Sequence, residues 1–189
     1  EWLPVFLSTD NVFDGGRGGY READPTAPVN AYGAMKREVE RFLEGAGRPY
    51  LNVRLGKVFT MDPEGDTLLA DWHRTLREAR AVRCVEGQRL NPTCAEEVAD
   101  GIASLAERGA RGTFHLCAPE AFERVDLART FALRCGFRDA RITVEPETAF
   151  GFRDRRPRDP TMDPGAYLSA TGRRPRPVAS WFEEAALRW

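Results

Sequence analysis

The sequence is short of several things. Lysine occurs only twice, as Lys36 and Lys57, against 26 arginines. There are two histidines, His73 and His115, and four cysteines with no Cys-x-x-Cys spacing, so no zinc-ligand pattern can be assembled. Cys84, Cys94, Cys117 and Cys135 therefore read as reduced thiols, as expected of a cytoplasmic protein. No apolar run approaches the roughly 20 residues that span a bilayer, and no signal-peptide pattern opens the chain. Charge of neither sign dominates: 28 basic and 29 acidic residues give a formal net charge of -1. That balance provides no global field for nucleic acid or a lipid surface. The arginine-rich stretches 153–158 and 173–176 are short and interrupted, which argues against a nucleic-acid interface.

What is present fits a folded α/β protein. Hydrophobic residues make up 42% of the 189, enough for one sizeable core. Residues 4–8 read as a buried strand that delivers Thr9 and Asp10 at its C-terminal end. The loop 14–28 is rich in Gly and Pro, but no helix opens after Gly15-Gly16-Arg17-Gly18-Gly19 at phosphate-loop spacing, so a mobile turn is the better reading. Asn30 can cap a helix to about residue 46, stopped by Gly47 and Pro49, and residues 50–55 read as a second buried strand. Strand, helix and strand in that order predict a parallel, right-handed crossover. Further helices are expected over 66–80, 95–107, 125–135 and 181–187, with strands at 82–85, 112–116 and 142–144.

Tyr32 and Lys36 stand four apart in the predicted helix, on one face and about one turn from each other. With four tyrosines and two lysines, chance supplies about 0.04 such pairs per chain. A phenol ordinarily titrates near pH 10, and an adjacent ammonium favours its ionised form, which suits the pair to proton transfer. A parallel sheet would bring Thr9 beside the start of that helix, where its hydroxyl could orient a carbonyl. Taken alone, Thr9 and Asp10 more readily read as residues that close a turn.

These residues also sit in a recognisable order. Ser8-Thr9-Asp10-Asn11-Val12-Phe13-Asp14-Gly15, Tyr20-Arg21-Glu22, and Pro28-Val29-Asn30-Ala31-Tyr32-Gly33 with Lys36 resemble the core signature of dTDP-4-dehydrorhamnose reductases, which are extended short-chain dehydrogenase/reductases. Arg54-Leu55-Gly56-Lys57-Val58-Phe59, Asn91-Pro92-Thr93, Gly112-Thr113-Phe114-His115 and Arg156-Pro157-Arg158 extend the resemblance along nearly the whole chain. The resemblance implies the C-terminal part of a Rossmann-like parallel sheet plus a smaller α/β substrate-binding region. Residues 1–60 would belong to the former and residues 61–189 mainly to the latter, with some segments returning to the sheet.

The implied activity is NAD(P)-dependent reduction of a keto group on a nucleotide-linked sugar, with Thr9, Tyr32 and Lys36 catalytic. Tyr32, Lys36 and Gly56 would meet NADP(H) or NAD(H). Thr9, Asp10, Asn11, Lys57, Arg156 and Arg158 would meet the substrate, and a homodimer is compatible with the reading. Epimerase or dehydratase chemistry, or a non-catalytic role like that of the regulatory β subunit of methionine adenosyltransferase, are the alternatives the resemblance leaves. Two positions depart from the family: Asn11 stands where Tyr is usual and Lys57 where Trp is usual. The glycine-rich cofactor turn that opens such proteins is also missing. About 90–100 further residues are expected ahead of Glu1, in a longer parent or a companion chain. This chain alone is expected to bind the cofactor weakly and to leave a strand edge unpaired.

Overall fold

The computed structural model describes residues 2–189. In chain order, β1 (Val5–Thr9) runs into a 3-10 turn (Asp10–Val12), then α1 (Ala31–Gly45), β2 (Leu51–Leu55), β3 (Lys57–Phe59) and α2 (Leu68–Arg77). There follow β4 (Val82–Val85), β5 (Arg89–Leu90), β6 (Pro92–Cys94), α3 (Ala95–Glu107), β7 (Gly112–Leu116) and β8 (Phe122–Glu123). The chain ends with α4 (Arg124–Arg134), β9 (Ile142–Glu145), a 3-10 turn (Glu147–Phe150), α5 (Gly165–Thr171) and α6 (Val178–Arg188).

The expected crossover is present. β1 pairs in parallel with β2, Thr9 opposite Leu55, and β2 pairs in parallel with β7. β2 is buried along its whole length and alternates in character. Leu51, Val53 and Leu55 face a core with Val98 and Leu105 of α3 and Tyr167 of α5. Asn52 and Arg54 take the opposite face, where α1 supplies a buried Glu40. The period-2 pattern of a strand thus puts an apolar layer on one side and a closed polar layer on the other. β1 is the edge strand, with Val5 and Leu7 exposed and no partner on its outer side among the described residues.

The second core gathers Trp72 of α2, Leu127 and Phe131 of α4 and Phe182 of α6. Burial of each such side chain contributes about 1.5–3 kcal/mol. Parallel pairs β3–β6 and β4–β9 complete this region. The loop 14–28 is docked rather than free. Tyr20 is buried, stacks on Phe13 and bridges to Met162, while Asp159 N donates to Gly15 O at 2.9 Å. Its predicted mobility gives way to these partners from residues 157–163, which adjacency in sequence does not reveal. Among the described residues no helix is long and apolar enough to cross a membrane, and no cluster of metal-binding side chains is found.

Candidate active site

The C-terminal ends of β1 and β2 open into a cavity of about 550 Å³. Its wall is built from the chain turning at Thr9. The Thr9 hydroxyl accepts from Asn11 N at 3.2 Å, capping the 3-10 turn, and donates to Asp10 Oδ1 at 3.0 Å. Asn11 Nδ2 donates to the same carboxylate oxygen at 2.7 Å. Thr9 and Asp10 thus do close a turn, and they also face the cavity. Both are 6% exposed. Burial pushes the Asp10 carboxyl up to about 6, against the opposing pull of Asn11, Thr9 and the Lys57 charge.

The same turn fixes the start of α1. Asn11 Oδ1 accepts from Asn30 Nδ2 at 3.0 Å, and Asn30 Oδ1 caps the helix by accepting from Gly33 N at 2.8 Å. Asp154 accepts from Ala31 N at 2.6 Å and Arg155 O from Asn30 Nδ2 at 3.1 Å, which draws the loop bearing Arg156 over the helix start. Tyr32, in the first turn, is 49% exposed and lines the cavity. A Cβ at Gly33 would overlap the Asn11 carbonyl oxygen, so only glycine lets α1 sit this close to the turn. Gly56 plays the matching part across the cavity, where a Cβ would overlap the Asn91 carbonyl oxygen.

Of the nine residues singled out from sequence, seven meet at this cavity: Thr9, Asp10, Asn11, Tyr32, Gly56, Lys57 and Arg156. Lys36 lies behind Tyr32, outside the cavity wall. Its ammonium donates to Leu7 O at 2.8 Å and sits 5.8 Å from the Tyr32 ring centroid and 4.9 Å from that of Phe6. Arg158 lines an adjoining cavity of about 460 Å³ that shares Gln88, Arg156 and Pro157 with the larger one.

Sequence reasoning missed Arg124, Gln88 and Phe152. Arg124 opens α4, reaches the cavity and donates to Gln88 Oε1 at 3.0 Å. Phe152 supports Arg156, whose guanidinium carbon lies 5.0 Å from its ring centroid. Among 26 arginines nothing local marks Arg124, since its place depends on how α4 meets β5.

Beneath the site, Arg54 forks onto Glu40, with Nε to Oε1 at 2.9 Å and Nη2 to Oε2 at 2.8 Å. Asn52 Nδ2 adds a donor at 3.1 Å. Burial acts to raise the Glu40 carboxyl, but these donors outweigh it and hold the group below the usual range. His115, fully buried beside Arg54, is pushed down to about 4 by burial and then by that guanidinium.

Comparisons with known proteins bear on the family and the fold. The family model described as the RmlD substrate binding domain matches residues 2–186. A dTDP-4-dehydrorhamnose reductase of Burkholderia thailandensis is 37% identical over 124 residues, 60% of this chain and 41% of that protein. Methionine adenosyltransferase 2 subunit beta of Danio rerio is 27% identical over 168 residues, 84% of this chain and 51% of that one. The chain thus spans about half the length of the curated relatives it matches. The crystal structure of a dTDP-4-dehydrorhamnose reductase from Clostridium acetobutylicum superposes with a TM-score of 0.86 at 23% identity, over 99% of this chain and 66% of that one. A Bacillus anthracis dTDP-4-dehydrorhamnose reductase in complex with NADP gives 0.85, also at 23% identity, over 99% and 66% of the two chains. These superpositions establish the Rossmann-like α/β fold, and the match over residues 2–186 shows that the chain belongs to the RmlD substrate binding domain family.

Proposed function

We propose that this chain supplies the substrate pocket and the proton-transfer group of an NAD(P)(H)-dependent reductase acting on a keto group of a nucleotide-linked sugar. The observation that carries the reading is the meeting of Tyr32 with the Thr9–Asp10 turn at one cavity, at the C-terminal ends of parallel strands. That is where open α/β sheets bind ligands. The reductase relatives from Burkholderia thailandensis and Streptomyces niveus support the reaction class.

The contacts support the following roles. The Tyr32 phenol gives its proton to the carbonyl oxygen, which becomes the alcohol, and its half-exposed ring is open to solvent for reprotonation. The Lys36 ammonium, 5.8 Å from the ring, stabilises the negative charge left on the Tyr32 oxygen. The Thr9 hydroxyl orients the carbonyl, and to donate to it must turn its proton away from Asp10. Lys36 spends one of its three N–H donors on Leu7 O, which leaves two for the hydroxyls of a nicotinamide ribose, so the residues present fit that group. When bound, the nicotinamide supplies the hydride that the carbonyl carbon receives. Gly56 would line the nicotinamide side, Arg156 would meet the diphosphate as a planar fork, and Arg158 in the adjoining cavity would face the nucleotide. The division into residues 1–60 and 61–189 is part of the same proposal, with β7 as the segment that returns to the sheet.

The test is oxidation of NADPH and of NADH by the full-length protein against a panel of dTDP- and UDP-linked 4-keto sugars. Turnover with a nucleotide-linked ketone and none with the free sugar is expected; absence of turnover across the panel would overturn the assignment. A second reading draws on the likeness to methionine adenosyltransferase 2 subunit beta, which is 27% identical over 84% of this chain. In that case the protein is a binding subunit, and a stoichiometric enzyme partner without sugar turnover identifies it.

A further inference from the structure

The cavity is markedly cationic in a protein whose overall charge is nearly balanced. Lys57, Arg89, Arg124 and Arg156 line it, against a single carboxyl, Asp10. Arg89 is offset by Asp159 at 3.5 Å. Among the described residues no carboxylate lies within ion-pair distance of Lys57, Arg124 or Arg156.

These like charges repel one another across the cavity. Lys57 is exposed along the cavity wall, yet partial desolvation by the surrounding protein, then Arg124, then Arg156 hold its ammonium below the usual lysine range against the pull of Asp10. Arg124 is likewise depressed by burial, with Arg156 adding to the effect. The Arg124 Nε is buried with no hydrogen-bond partner. A half-buried cation such as Arg124 is ordinarily paired with a counter-charge. An arrangement of like charges in a cleft points instead to a ligand of opposite sign.

A sugar diphosphate alone does not account for the placement. Arg156 sits on the stretch shared by the two cavities, which suits a diphosphate between sugar and nucleotide. Lys57 stands by the Thr9–Asp10 turn. It follows β2 by two residues, its backbone N donates to Asn91 O at 2.9 Å, and its charge acts on Asp10, the partner of Thr9. On the reading above, that is where the ketone is reduced.

We propose that the sugar taken by this site carries a carboxylate, seated by Lys57 and Arg124 beside the reacting ketone. Lys57 is then the residue that selects an acidic sugar over a neutral one, and Arg124, anchored by Gln88, completes the seat from the α4 side. The inference rests on the sugar-nucleotide reading of the cavity and narrows its substrate class.

Isothermal titration of the full-length protein with dTDP-glucose and with dTDP-glucuronic acid tests it, since the two differ only in a hydroxymethyl or a carboxylate on the ring. The uronate should bind at least about tenfold more tightly at low salt, and the preference should shrink as ionic strength rises. Lys57→Met should bring the two ligands to within about threefold of each other, while Lys57→Arg should keep a preference for the uronate, folding being verified by circular dichroism. Equal binding by the wild-type protein, or a preference that survives Lys57→Met, overturns the acidic-sugar inference alone. Failure of the folded protein to bind either ligand overturns it together with the sugar-nucleotide reading.

Discussion

Gly33 of α1 presses against the carbonyl oxygen of Asn11, with no space for a Cβ between them. This one contact sets how near the Tyr32 helix comes to the Thr9–Asp10 turn. Alanine is the better helix former by about 1 kcal/mol, so helix propensity alone would favour Gly33→Ala. The overlap reverses the sign: the variant should lose about 1–3 kcal/mol in urea unfolding. Gly45, at the end of the same helix with open space around it, is the control, and Gly45→Ala should be neutral or stabilising. Equal behaviour of the two variants would show that the Gly33 contact carries no constraint.

Asp10 should make the protein less stable as the pH rises. Its carboxyl titrates near 6 in the folded state against an unperturbed 3.8, so the folded chain holds its proton over that interval while the unfolded chain releases it. Stability is therefore lost as pH climbs through about 6, to a ceiling of about 3 kcal/mol for two pH units. Asp10→Asn should be more stable than wild type at pH 8 and show no gain at pH 4. His115 titrates in the opposite sense, its stabilisation being lost as pH falls from 6.5 through about 4. The comparison of variant with wild type at each pH, not the wild-type profile, isolates Asp10. A gain of equal size at both pH values contradicts the account.

The buried pair Glu40–Arg54 ties α1 to β2 directly under the site. Glu40→Gln should cost about 3–5 kcal/mol, because it leaves the Arg54 guanidinium buried without its counter-charge. Replacing both, as Glu40→Leu with Arg54→Met, should recover much of that loss. A double-mutant cycle in urea measures it, and single variants costing under about 1 kcal/mol would remove the pair from the account.

How far these features could be read beforehand depends on their range along the chain. Asn30, Tyr32, Lys36 and the helix through Gly45 were readable because cap, periodicity and stop lie within one segment. β2 was readable as a short buried run. β3, β5, β6 and β8 have only two or three residues each, too few for any periodicity, and exist because a distant strand supplies their hydrogen bonds. α5, of seven residues after Pro164, is too short to show a helical period and was likewise invisible. Tyr32 and Thr9 could be placed together by crossover topology. Arg124 could not, nor could the use of the Lys36 ammonium on Leu7 O, since both depend on side-chain reach across elements.

On the proposed function, Tyr32 delivers the proton to a sugar ketone. Stopped-flow measurement of a single turnover by the full-length protein, with saturating NADPH and an accepted nucleotide-linked keto sugar, tests it most directly. Tyr32→Phe should slow NADPH oxidation at least about 100-fold, within the range expected for loss of a general acid, while sugar-nucleotide affinity changes by less than about threefold. An unchanged oxidation rate in the folded variant would contradict the claim.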